Sequence, residues 1–238
     1  MDLTRLAAGY RHRLPTDASL RRAAGAVAGL EHGAVALDVG GGPGRHAAVW
    51  ARAGVRAVVL DPSLDMLSAA ATRAGVLTVA GVSQAMPFRP AAFDLVAFHL
   101  SIHYGSWRDA LGETLRVLRP GGVCKIWTLG PRHHTSSMLA RWFPIVAGID
   151  ASRFPEPADV MTYLESTCRN VEHEVEIEQV VRSAGQWERA VRARFVSTLQ
   201  LVDDAEIERG LRDFRNAHPD AGQQVAYELR FDRIVAVR

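Results

Sequence analysis

Residues 35–47, VALDVGGGPGRHA, place Gly40, Gly41, Gly42 and Gly44 between an apolar run and a helix-forming run. Glycine accepts backbone angles closed to other residues and carries no Cβ, so a ligand can approach the main chain there. The helix that follows offers unpaired N–H groups at its start. An anionic or polar ligand is therefore expected at this loop. Asp38 stands just before the glycines, and Asp61, at the end of the next apolar run, adds a carboxylate able to accept from two hydroxyls. The groups suited to proton transfer near neutral pH are histidines: His99 and His103 after a later apolar run, and His133 and His134 after the next. A metal on His99 and His103 is disfavoured. No nearby Asp or Glu completes a shell, and a strand end does not give helical spacing. His46, just past the glycines, reads as a first-turn helix residue.

These groups need a framework, and the chain supplies an alternation of short apolar runs with stretches whose apolar residues recur at three-to-four spacing, the pattern of βαβ units. Strands are predicted over 35–39, 56–60, 77–80, 94–99 and 123–128. They are continuously apolar, as strands buried on both faces of a helix-covered parallel sheet must be. The candidate groups cluster at or just past the carboxyl ends of these strands, where an open α/β sheet presents ligand-facing residues. Ser63 is a predicted N-cap for a helix carrying Leu64, Leu67 and Ala71. Ser106 caps a second, striped by Trp107, Leu111, Leu115 and Leu118 and stopped by Arg119, Pro120, Gly121 and Gly122. Beyond Thr128 the rhythm loosens. GPRHHTSSMLARWFP reads as a long connection, a helix is expected over 158–168, and VEHEVEIEQVV alternates like a strand. A helix opening at Asp203 or Asp204 presents Ile207, Leu211 and Phe214 on one face, and YELRFDRIVAVR closes the chain as a last strand.

Spacing sorts the ligand classes. A dinucleotide fingerprint starting at Gly40 and Gly42 needs a glycine at position 45, which is Arg45, and a phosphate-binding P-loop needs a lysine that is absent from this stretch. What remains is D-x-G-x-G-x-G, on Asp38, Gly40, Gly42 and Gly44. Here the chain closely resembles the class I S-adenosylmethionine-dependent methyltransferases, nearest their UbiE-like branch, methyltransferase domain 11. The resemblance runs in register through roughly residues 35–128, over VVLDPSLDML, GVSQAMPFRPAAFDLVAFHLSIHY and residues 113–122. It implies an α/β, Rossmann-like fold with a mostly parallel seven-stranded sheet, helices on both faces and an elaborated C-terminal third. It implies S-adenosyl-L-methionine as cofactor and S-adenosyl-L-homocysteine as product. The glycines, Gly41 included, would hold the donor, Asp61 with Pro62 its ribose hydroxyls, and backbone groups of Val82 and Ser83 its adenine, while His99 contributes through its backbone. Family members often carry an acid where this chain has Val82, so a side-chain acceptor for the adenine amino group is missing.

The implied reaction is methyl transfer to a small-molecule acceptor by oxygen, nitrogen or carbon attack, with His103, His133 or His134 as base where the acceptor must lose a proton. Nucleobase amino groups are disfavoured, because HLSIH stands where their enzymes carry an Asn/Asp-Pro-Pro-aromatic run. The alternative is a non-catalytic relative that binds the cofactor and acts as a partner or regulator. A nicotinamide oxidoreductase is disfavoured by Arg45 and by the lack of a Tyr-x-x-x-Lys pair, Lys125 being the sole lysine. With 28 Lys+Arg against 26 Asp+Glu the net charge of +2 argues against a nucleic-acid partner. Cys124 and Cys168 form no CxxC, there is no run of 18 apolar residues, and the first residues lack a signal-peptide pattern. The expectation is a cytoplasmic monomer or homodimer, without membrane attachment, working in small-molecule or secondary metabolism. One domain is expected over 1–238: a lid or helix over 1–30, with residues 10–15 folding across the cofactor, a cofactor-binding core over 31–130, and an acceptor-side elaboration over 131–238.

Overall fold

The structure, a computed structural model, describes residues 16–238, so the expected lid over residues 10–15 lies outside the described residues. The described chain divides into two compact units, one of residues 17–129, 154–175 and 232–238, the other of residues 130–153 and 176–231 with Thr16.

The first unit holds α1 (Asp17–Val27), β1 (Val35–Val39), α2 (Arg45–Arg52), β2 (Arg56–Asp61), α3 (Leu64–Ala71), β3 (Val76–Ala80), β4 (Phe93–His99), α4 (Trp107–Val117), β5 (Leu118–Thr128) and α8 (Pro157–Glu165). Two long strands, β6 (Arg169–Ser183) and β7 (Gln224–Val237), contribute residues to both units. The seven strands run in the order β3-β2-β1-β4-β5-β7-β6. β1 pairs in parallel with β2 and β4, β2 with β3, and β4 with β5, while β7 lies antiparallel on β5. The expected mostly parallel α/β sheet is therefore present. Its central strands are largely apolar because both faces are covered: on one, Leu37, Val96, Phe98 and Ile126 pack with Leu111 and Val117 of α4 and Val160 and Leu164 of α8 in one buried cluster, and on the other Ala36, Leu95 and Ala97 are buried. The two predicted caps form, Ser63 accepting from the Met66 N–H and Ser106 from the Asp109 N–H. Residues 119–122 do end α4, but they belong to β5 as an irregularity: Phe93 pairs with Leu118 and Leu95 with Val123, which leaves these residues looped out opposite Asp94.

The second unit holds α5 (Pro131–Ser136), α6 (Met138–Trp142), α7 (Ile145–Arg153), α9 (Ala184–Arg192), a short 3-10 helix (Ser197–Leu201) and α10 (Asp204–Ala217). Residues 130–144, expected as a connection, are mostly helical. Pro131 starts α5, and the Ser137 hydroxyl accepts from the Ala140 N–H to start α6. The helix α9 is opened by a capping box between Ser183 and Gln186 and buries Trp187, Ala190 and Val191. Asp203 caps α10 through the Glu206 N–H, at the predicted start. These helices enclose Phe143, Trp187, Leu211 and Phe214 in a second core. No described helix is long and apolar enough to cross a membrane.

Gly210 marks the tightest contact of that core. A Cβ there would meet the Phe143 ring at 2.2 Å and the Trp142 carbonyl at 2.5 Å. Gly210→Ala gains about 1 kcal/mol of helix propensity and loses about 1–3 kcal/mol or more to overpacking. We therefore expect thermal unfolding a few degrees below the wild type. A raised midpoint would show that the ring yields.

Candidate functional site

At the end of β1 the Gly40 N–H donates to the Leu60 carbonyl at 2.7 Å, which ties the loop to β2. Gly40 has φ +65°, and a Cβ there would stand 2.6 Å from the Ser101 Cβ. Only glycine fits this turn against the segment after β4, where the Ser101 hydroxyl donates to the Val39 carbonyl. At Gly41 the constraint is closeness: a Cβ would lie 2.6 Å from Asp38 Oδ2, so the bare backbone runs along that carboxylate. The loop closes with the Gly44 N–H on the Gly41 carbonyl at 3.0 Å, and Gly44 stands at the N-cap of α2.

Asp38 and Asp61 bracket this loop. Asp38 is 1% exposed; it accepts from the Ala47 N–H in the first turn of α2, and its Oδ2 has no hydrogen-bond partner among the described residues. Both oxygens of Asp61 accept a main-chain hydrogen bond. Its Oδ2 accepts from the Gly42 N–H and its Oδ1 from the Ser63 N–H, each at 2.9 Å, so the cap of α3 belongs to Ser63 and not to Asp61. Burial, and then the charge of Asp61, push the Asp38 carboxyl up to about 7, with the Ala47 N–H opposing. Burial also raises Asp61, opposed by its two amide bonds. The structure thus brings Asp38, Gly40, Gly41, Gly42, Gly44 and Asp61 into one site.

The other predicted residues surround it in the same unit. Pro62 is exposed, and the Gly81 N–H donates to the Asp61 carbonyl at 3.3 Å. Val82 is exposed, its carbonyl accepts from the Ala85 N–H, and Ser83 is half-buried. His99 meets His46 edge-on at 4.2 Å between ring centroids and Trp127 at 5.8 Å, and His46 Nε2 lies 3.3 Å from the Ser19 hydroxyl. The proximity of His46 to His99 escapes a sequence reading, since they sit on different elements. His103 is buried, its ring stacked on Phe154 at 3.9 Å and against Tyr104 at 4.1 Å. Leu100, between His99 and this turn, holds a left-handed φ of +55°.

His133 and His134 are on α5 in the second unit, both buried. His133 Nδ1 accepts from the Arg230 N–H at 3.2 Å. Burial, then His134 and Arg230, push its pKa down to about 4, so the ring is neutral at pH 7 with that nitrogen's lone pair committed. In the same unit Asp150 Oδ1 accepts from the Thr198 hydroxyl, and Arg153 donates to the Thr198 and Ser197 hydroxyls at 3.2 and 3.1 Å. Nothing in the local sequence marks this buried group.

The Asp38 shift makes a stability statement. Its folded-state carboxyl titrates near 7 and its unfolded one near the ordinary 3.8, so the folded chain binds the extra proton between those values. Stability contributed by that proton is present below the unfolded value and is lost as pH rises through the folded one. Asp38→Asn should flatten this decline between about pH 4 and 7 in denaturant titrations. An unchanged slope would mean that Asp38 is ionised throughout.

With the geometry in place, comparison with known proteins gives the class. Residues 37–126 match the methyltransferase domain family. The malonyl-[acyl-carrier protein] O-methyltransferase of Salmonella typhimurium is 41% identical over 96 residues, 39% of this chain and 38% of that protein. The demethylmenaquinone methyltransferase of Renibacterium salmoninarum is 34% identical over 138 residues, 55% of this chain and 56% of its own length. The chain thus spans well under two thirds of either relative. In fold, a putative methyltransferase from an antibiotic biosynthesis pathway of Anabaena variabilis superposes with a TM-score of 0.75 at 18% identity, over 94% of this chain and 98% of that one. The sheet, the glycine loop between its carboxylates and the family match agree that residues 37–126 are a class I, S-adenosylmethionine-dependent methyltransferase domain.

Proposed function

We propose that the protein transfers a methyl group from S-adenosylmethionine to a small-molecule acceptor and releases S-adenosylhomocysteine. The observation that carries this reading is the pair of carboxylates around the glycine loop, one of them with a buried oxygen that has no hydrogen-bond partner among the described residues. These residues fit the donor. Its ammonium group is the partner that Asp38 Oδ2 lacks, and a cation there favours the ionised carboxylate. Each carboxylate oxygen of Asp61 has a lone pair beyond the amide bond it accepts, enough for the two ribose hydroxyls, with Pro62 alongside. Gly40, Gly41, Gly42 and Gly44 leave the main chain open to the donor, Val82 and Ser83 offer backbone groups to the adenine, and His99 closes the pocket through its backbone.

The donor supplies a methyl group on a sulfonium, poised for in-line displacement. The chain's task is to hold acceptor and donor in line, which can supply several kcal/mol of the barrier. Where the acceptor loses a proton, His103 takes it; the stacked Phe154 and the neighbouring Tyr104 fix the plane of its ring. His133 serves structure, its Nδ1 being held by the Arg230 N–H, and His134 beside it is the second candidate base. Acceptor recognition is assigned to residues 131–238. The two relatives act on malonyl-[acyl-carrier protein] and on demethylmenaquinone, so they narrow the acceptor no further than a small molecule or a carrier-bound group.

The test combines affinity and turnover. Asp61→Ala should weaken donor binding by about tenfold or more in calorimetry, the scale of a lost charged acceptor; unchanged affinity removes Asp61 from the site. With methyl-labelled donor and a panel of hydroxyl, carboxylate and quinol acceptors, the wild type should yield a labelled product. His103→Ala should keep donor affinity and slow transfer roughly a hundredfold. Parallel loss of affinity would make His103 a pocket residue, and donor binding with no labelled product from any acceptor class would contradict turnover.

A further inference from the structure

The segment between β3 and β4, which carries Val82 and Ser83, is clamped to α4. Arg116 Nε donates to Glu113 Oε1 at 2.6 Å, and its terminal nitrogens donate to the Phe88 and Met86 carbonyls at 2.7 and 2.9 Å. Glu113 Oε2 in turn accepts from the Met86 N–H at 2.7 Å, and Arg116 holds the Glu113 carboxyl below its usual range. A planar guanidinium bound to a carboxylate and two carbonyls leaves this part of the segment little freedom.

One side chain reaches from this clamped segment to the turn that carries His103. Gln84 Nε2 donates to the Tyr104 carbonyl at 2.6 Å. Room for it comes from Gly105, at φ +86°, where a Cβ would lie 2.3 Å from that nitrogen. The turn itself is under strain. Leu100 sits in the left-handed region, at a cost of about 1–2 kcal/mol for a residue with a Cβ, and such a conformation persists only where its surroundings fix it. The fixed points are the Leu100 N–H on the Trp127 carbonyl at 2.9 Å, the Tyr104 N–H on the Ser101 carbonyl at 3.2 Å, and Gln84.

We propose that Gln84 is a positioning residue: its hydrogen bond to the Tyr104 carbonyl couples occupancy of the Val82–Ser83 segment to the orientation of the His103 imidazole. This inference rests on the donor and base assignments made above. A donor seated on Val82 and Ser83 bears on Gln84, the next residue, and the carboxamide carries that displacement to the carbonyl adjoining His103. His103 is thereby set for its proton when the donor is in place, and less well set when the site is empty.

Histidine ring carbon–proton spectra test this without any acceptor, with S-adenosylhomocysteine as the probe and His103 assigned by its missing signal in His103→Gln. In the wild type, saturation with the probe should move the His103 resonance and its titration midpoint. Gln84→Met keeps the length and removes the donor. It should still bind the probe, with affinity within about threefold of the wild type, and unfold in one transition a few degrees lower, about the cost of one lost hydrogen bond, while the His103 response is lost. A full response in Gln84→Met overturns the coupling and leaves the donor site standing. Failure of the wild type to bind the probe overturns the donor reading and the coupling together.

Discussion

Two buried carboxylates face one stretch of backbone, and the cost of burying them, with the charge of Asp61 added at Asp38, is the constraint on which the glycine loop depends. Among the described residues, the hydrogen bonds to Asp38 and Asp61 come from main-chain N–H groups, of Ala47 for the first and of Gly42 and Ser63 for the second. They leave the second oxygen of Asp38 without a hydrogen-bond partner among those residues, while burial holds its proton on to about pH 7. Two acids held close in this way suit a cationic ligand rich in hydroxyls.

The sheet makes this arrangement affordable in geometric terms. Register pairs Asp38 with Val59 of β2 and Ala97 of β4, so the loop leaves the sheet at its centre, where the flanking strands are buried and the strand order turns back. Ser101 against Gly40 ties the loop to the segment after β4, and the same segment continues into the strained turn of His103. Cofactor loop and candidate base thus hang from adjacent strands.

Much of this was legible in the sequence for a physical reason. Strands covered on both faces are rich in apolar residues, so residues 35–39, 56–60 and 94–99 announce themselves within a residue at each end, and so do residues 77–80, although these form the edge strand β3 with Leu77 exposed. Ser63, Ser106 and Asp203 act through hydrogen bonds three residues away, which local sequence encodes. What stayed hidden depends on contacts between distant residues. The chain over 119–122 joins β5 because Gly121 and Gly122 pair with Arg238, far along the chain. The helices α6 and α9 are short or highly charged, and their apolar faces are defined by a core of Phe143, Trp187 and Phe214 that the sequence does not bring together. At the site, the glycines stand out by their spacing and Asp61 by the family resemblance of its segment, whereas the Asp38 oxygen without a partner among the described residues, the His46–His99 contact and the reach of Gln84 to Tyr104 exist only once the strands are aligned.

The central claim is that the loop between Asp38 and Asp61 holds a sulfur-linked adenosine donor. Calorimetric titration of the whole chain at neutral pH with S-adenosylhomocysteine, and with NAD and NADP as controls, tests it most directly. The account predicts one-to-one binding of S-adenosylhomocysteine and none of the dinucleotides; binding of a dinucleotide, or of nothing, would contradict it.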